Sequence, residues 1–134
     1  MDWSSKHSKG NGGKLKSSSD IFVKAEDVEW EEVAEGIKRK IMGYNDNIMM
    51  LSVSFKKGAI GAEHSHYHSQ ASFVLSGRFE ITIGEEVKIL GTNDTFIPPS
   101  NVPHSSICLE EGVLIDVFSP VRDDFLAGES GYIK

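Results

Sequence analysis

The chain has a single cysteine, Cys108, so no disulfide can form within it. Folding therefore does not call for an oxidising compartment, and a cytoplasmic location is the expectation. Nowhere does an apolar run approach the roughly 18 residues that span a bilayer. The N-terminus also lacks the apolar stretch of about 7 to 15 residues that makes a signal peptide. Neither a membrane anchor nor export by that route is expected. Positive charge is also scarce. Lys and Arg number 14 against 20 Asp and Glu, for a net charge of -6. No basic stripe follows the first twenty residues, which argues against a nucleic-acid partner, because phosphate backbones need one. Aromatic residues are few: seven Phe, three Tyr and two Trp. With Trp3 near the start and Trp30 in the first folded segment, no aromatic-lined cavity is expected.

What is present fits one domain, since 134 residues support a single core. Residues 1–20, rich in Ser, Gly, Lys and Asn, read as a flexible leader of the composition that recombinant tags share. Residues 21–134 then form the folded domain. The stretch "DVEWEEVAEGIKRKIMGYN" keeps helical spacing only briefly and is broken by Gly36 and Gly43, so a short helix or turn followed by a strand is expected. Beyond it period two dominates. In "IMMLSVSF", Met49, Leu51, Val53 and Phe55 alternate with Met50, Ser52 and Ser54, as in a half-buried strand. "ASFVLSG", "RFEITIG", "EVKIL" and, after an expected turn at "LEEG", "VLIDVFS" read as further strands. Short strands separated by glycine turns point to an all-β sandwich or barrel, and Pro98, Pro99 and Pro103 mark a loop.

Three of the five histidines fall in "HSHYHSQ", at positions 64, 66 and 68. Neutral imidazole is the commonest protein metal ligand. On a strand, residues two apart share a face, which sets His64 and His66 about 7 Å apart at the backbone and able to converge on one ion. His104, just after the proline loop, is the candidate third ligand, and Gln70 the next oxygen donor. His68 is expected in a turn, at a pocket rim or on the surface.

These residues resemble the two motifs of the cupins. The first motif reads Gly58, "AIGAE", His64, Ser65, His66, "YHS", Gln70, "ASFVLS", Gly77; the second runs from Asn93 through Pro99 to His104. Gln70 stands where the family usually has Glu, Asn93 and Asn101 replace glycines, and Cys108 takes a position where asparagine is common. The resemblance covers roughly Val28 to Leu126 and implies a small single-domain cupin, a jelly-roll β-barrel. It also implies one divalent transition metal ion (nickel, zinc, manganese or iron) on His64, His66, Gln70 and His104. Three imidazoles and an amide cancel none of that ion's charge, which favours polarising a substrate oxygen over oxygen-activating iron chemistry.

Within the cupins, "GIKRKIMGYNDNIMMLSVSFKKGAIGAEHSHYHSQASFVLSGRFEITIGEE" and "DVFSPVRDDFL" resemble the small pectin-degradation proteins of the KdgF type. That resemblance implies conversion of 4,5-unsaturated monouronates, left by pectin or alginate lyases, to linear keto sugars. It also implies a small-molecule sugar acid as partner and site roles at Asp116, Phe118 and Arg122. Asp116 shares a strand face with Leu114 and Phe118, where a carboxylate is costly unless paired, hydrated or functional. It is the candidate general acid/base. Arg122 is the candidate for gripping a uronate carboxylate through its fork, or for an ion pair with Asp123 or Asp124. Phe118 walls the sugar pocket or belongs to the core. The alternatives are a cupin-type polyketide cyclase or oxygenase, and a non-enzymatic metal-dependent sugar-binding module. A homodimer is expected, as is usual for cupins of this size.

Overall fold

The computed structural model describes residues 17–131. The leader expected over residues 1–20 lies outside the described residues apart from its last four. Of these, Ser19 donates its backbone N–H to the Tyr44 carbonyl at 2.9 Å and accepts the Tyr44 N–H on Oγ at 2.9 Å.

Eight strands follow a 3-10 turn at Ala25–Asp27: β1 (Glu31–Ala34), β2 (Ile37–Tyr44), β3 (Met49–Phe55), β4 (Ile60–His64), β5 (Ser69–Ile83), β6 (Glu86–Leu90), β7 (Thr95–Phe96) and β8 (His104–Ser119). One helical turn, α1 (Asp123–Leu126), comes after them. Every strand pairing is antiparallel, in the order β1-β2-β3-β8-β5-β6, with β4 added to β8 and β7 to β5. The all-β expectation holds. The short helix or turn expected before the first long strand is instead the 3-10 turn and a β-hairpin, β1–β2. The hairpin forms because Gly36 takes a φ of +75°, a turn conformation open to glycine, and because Ile37, Arg39 and Ile41 alternate with Lys38 and Lys40 at strand period.

The other departure from expectation is length. "ASFVLSG" and "RFEITIG" are one strand, β5, and "LEEG" lies inside β8 rather than forming a turn. The two strands run side by side from Ser69↔Ser119 to Ile83↔His104, with the register slipping around Ser76 and Arg78. Gly77 and Gly112 make that possible. A side chain on Gly112 would run into the Ser76 carbonyl, and a Cβ on Gly77 would lie 2.6 Å from the Glu110 oxygen. Without side chains there, the paired backbones bend together and stay hydrogen-bonded. Each bent strand then serves two neighbours. The first half of β8 pairs with β4 and the second with β3; the first half of β5 pairs with β7 and the second with β6. The sheet thereby folds over onto itself as a barrel.

The inward faces supply the core. Ile37, Met49, Leu51, Phe55, Val74 and Phe79 are all essentially excluded from solvent, and the Phe55 and Phe79 rings meet edge to face at 5.2 Å. At one end of the barrel the inward positions turn polar: Arg39, Gln70, Ser72, His104 and Arg122 are all buried there. Buried polar groups are tolerated only with partners or a task.

Candidate active site

His64 ends β4 and His104 begins β8, and the two are cross-strand partners, with ring centroids 4.3 Å apart. His66 reaches them differently from expectation. Because β4 stops at His64, strand geometry does not set the His64–His66 spacing. The proline loop does so instead, since the Asn101 N–H donates to the His66 carbonyl at 2.7 Å. Asn101 has a φ of +65° and Asn93 one of +76°, so each asparagine keeps the left-handed backbone of the glycine it replaces. The His66 ring lies 5.8 Å from His64 and 5.0 Å from His104.

Every one of these rings is oriented by its Nδ1, which lies 2.8 Å from the Ala62 carbonyl in His64, 3.0 Å from the His68 carbonyl in His66, and 3.0 Å from the Val102 carbonyl in His104. A carbonyl only accepts, so each Nδ1 carries the proton and each Nε2 presents a lone pair. Burial holds all three imidazoles below their ordinary pKa, His64 down to about 4, and so keeps them neutral. Their ligand atoms all lie within 4.8 Å of one another. His64, His66 and His104 could therefore hold a metal ion.

Two further contacts fit a cation there. His104 Nε2 is buried and, among the described residues, has no hydrogen-bond partner. His66 Nε2 lies 2.9 Å from Gln70 Oε1, one lone pair facing another, a contact that a cation bound to both would reconcile. Gln70 sits on β5, cross-strand from Phe118 on β8. Its Nε2 donates to Ser72 Oγ at 2.9 Å, and Ser72 Oγ donates to Asp116 Oδ1 at 2.6 Å. A continuous chain thus joins the histidine cluster to Asp116. Burial pushes the Asp116 carboxyl up to about 6, against smaller opposing pulls from the Ser72 hydroxyl and the Arg122 guanidinium.

Phe118 is buried with its ring 5.5 Å from His66 and edge to face with Phe125 at 5.6 Å, so it belongs to the core and to the cavity wall at once. Arg122 is buried, but its fork is engaged. Nε and Nη2 donate to the two carboxylate oxygens of Asp124, at 3.0 and 2.7 Å. Among the described residues, Nη1 alone of its nitrogens lacks a partner, which leaves one end of the guanidinium for a ligand.

Sequence reasoning passed over two features and misread two others. Arg39, at 2% exposure, points inward from β2 into the same cavity. It donates to Glu31 at 2.7 Å and to the carbonyls of Glu129 and Ser130 at 2.7 and 3.3 Å, so the segment after α1 is held against the cavity. The period-two run "IKRKI" was the available signal. Ser72 carries no motif, and only its register opposite Asp116 marks it. His68 is buried rather than at a rim, its ring stacked on Tyr67 at 4.0 Å. Finally, the cavity is lined by four phenylalanines, Phe55, Phe96, Phe118 and Phe125, where no aromatic-lined cavity was expected. Their spread over β3, β7, β8 and α1 hides them from any local reading.

Residues 51–118 match the Cupin domain family. The pectin degradation protein KdgF of Dickeya dadantii (strain 3937) is 50% identical over 99 residues, 72% of this chain and 90% of the relative. Among solved structures, an RmlC-like cupin from Shewanella frigidimarina NCIMB 400 superposes with a TM-score of 0.79 at 39% identity, covering 81% of this chain and 98% of that one. KdgF from Halomonas sp. follows with a TM-score of 0.75 at 36% identity, covering 78% and 98%. With its strand topology, its inward histidine cluster and these likenesses in agreement, the chain belongs to the cupin family.

Proposed function

We propose that the protein converts 4,5-unsaturated monouronates, of the kind released from pectin or alginate, to linear keto sugars. The observation that carries this reading is Asp116. Its carboxyl, pushed up to about 6, lines the same cavity as the histidine cluster and two buried arginines. An acid/base of near-neutral pKa suits a ring opening and ketonisation that proceed by proton transfer, and guanidinium groups suit an anionic substrate. The 50% identity to a protein named for pectin degradation supports the same substrate class.

The chemistry is an internal rearrangement that adds and removes no atoms. Asp116 takes the proton of the anomeric hydroxyl as the anomeric carbon becomes a carbonyl. The bond from that carbon to the ring oxygen breaks, and its electron pair stays on the oxygen, leaving an enolate. Asp116 then returns its proton to the olefinic carbon, and the enolate becomes a ketone. A divalent transition metal ion on His64, His66, His104 and Gln70 would supply Lewis-acid polarisation of a substrate oxygen. Arg122 offers Nη1 to the substrate carboxylate, a single contact, because its Nε and Nη2 are held in the ion pair with Asp124 that was the alternative to a bidentate grip. Phe118 closes the wall beside His66. In heavy water the product should be the linear keto sugar with one deuterium on the former olefinic carbon, seen by proton NMR. Product formation no faster than the spontaneous rate would overturn the assignment.

The four phenylalanines favour a second reading, a cupin-type cyclase acting on an aromatic or polyketide substrate. Arg122 weighs against it, since a neutral ring gives its unpartnered Nη1 little to bind. A binding module without catalysis would retain affinity after Asp116→Asn. We also read the protein as a cytoplasmic homodimer. No described helix is long and apolar enough to cross a membrane. On the outer face of the sheet, Met50, Phe73 and Leu75 are 48%, 36% and 51% exposed, and they flank Val113, Ile115 and Val117 on the central β8. A second copy of the chain would cover that face.

A further inference from the structure

Gln70 can turn its amide either way, and a metal at the histidine cluster needs its oxygen. The neighbouring hydrogen bonds decide which way it turns. A carboxylate only accepts, so Asp116 claims the Ser72 hydroxyl proton at 2.6 Å. Ser72 Oγ is then left with lone pairs alone toward Gln70, and it receives the amide N–H at 2.9 Å. The Gln70 oxygen must consequently face His66 Nε2, at 2.9 Å. Ser72 is 2% exposed, so water does not offer Gln70 an alternative partner there. The pairing is also fixed by register, because Ser72 and Asp116 are cross-strand partners at the bend-free end of β5 and β8.

We infer that Ser72 is a positioning residue that holds the Gln70 oxygen toward the metal, and that it does so only while Asp116 claims its hydroxyl proton. The inference rests on the reading of Gln70 as a ligand. The general acid/base and the metal are then coupled through two hydrogen bonds, and by linkage each biases the other. A carboxylate at position 116 favours metal binding through geometry, over and above the attraction of its charge.

The test uses the metal-stripped full chain titrated with Co²⁺, read by calorimetry and by the visible absorption of the bound ion. Ser72→Ala and Asp116→Asn should each weaken binding about tenfold and shift the absorption bands, although neither residue is a ligand. Ser72→Thr, which keeps the hydroxyl, should restore wild-type binding. Asp116→Asn is isosteric and carries the test even where Ser72→Ala does not fold. Once Gln70→Ala has removed the amide, Asp116→Asn should cost clearly less affinity than in the wild-type background, leaving only the part due to its charge. Undiminished loss in that double variant would show a through-space charge effect and overturn the relay. So would wild-type Co²⁺ binding by Ser72→Ala. Failure of the wild-type chain to bind Co²⁺ at all would instead overturn the metal reading beneath it.

Discussion

Asp116 carries a cost in stability that its proposed role explains. Its carboxyl titrates at about 6 in the folded protein against an ordinary 3.8. Between those values the folded state binds more protons than the unfolded one, so its stability falls as pH rises through the window and stays reduced above it. At about 1.4 kcal/mol per pH unit the ceiling is about 3 kcal/mol. Metal-free Asp116→Asn should therefore be about 2 kcal/mol more stable than wild type near neutral pH, with the difference gone below about pH 4, as denaturant melts would show. The same substitution should lower kcat on an unsaturated uronate by about 100-fold or more with little change in KM. In the wild type, kcat/KM should rise with pH through about 6, or lower once a bound cation favours the carboxylate. The residues with chemistry of their own, His64, His66, His104 and Asp116, were legible in the sequence. Ser72 and Arg39 were not, because each takes its meaning from a partner elsewhere in the chain: Asp116 across a strand pair, and the carbonyls of Glu129 and Ser130.

Period two located the strands well where a single face is buried, as in β3 with Met49, Leu51, Val53 and Phe55 inward. It misled where glycine bends a strand without ending it. At Gly77 and Gly112 the local pattern is that of a turn, and only the close pairing of two distant backbones makes it a bend. Gly112→Ala places a methyl against the Ser76 carbonyl and should destabilise the fold by about 3 kcal/mol or more, a loss measurable by thermal melting. The helical stretch after β8 raises a different point. Phe125 lies between two cations, with Arg39 4.3 Å and Arg122 3.9 Å from its ring centroid, and Arg39 holds the carbonyls of Glu129 and Ser130 beside it. Arg39→Lys replaces a planar fork by a point charge that cannot span those partners. Amide hydrogen exchange over residues 127–131 should accelerate in that variant while β5 and β8 stay protected; unchanged exchange would show that the segment is held by other means.

For the whole molecule, the two cupin motifs and the all-β pattern were enough to anticipate the barrel. The four phenylalanines of the cavity come from three strands and the helical turn, β3, β7, β8 and α1, and they line one cavity only after folding. The outer face of the sheet also emerges only from the topology, which sets β3, β8 and β5 side by side. Phe73→Glu on that face should give a folded monomer in sedimentation velocity, whereas a wild type that is itself monomeric would remove the dimer from the account. The cavity decides the function. The most direct measurement is the decay of the conjugated double-bond absorbance of 4,5-unsaturated galacturonate, followed with wild type, metal-stripped protein and Asp116→Asn in parallel. Decay above the spontaneous rate only for the metal-loaded wild type is the predicted result. Equal rates in all three would contradict the assignment of this cavity to uronate linearisation.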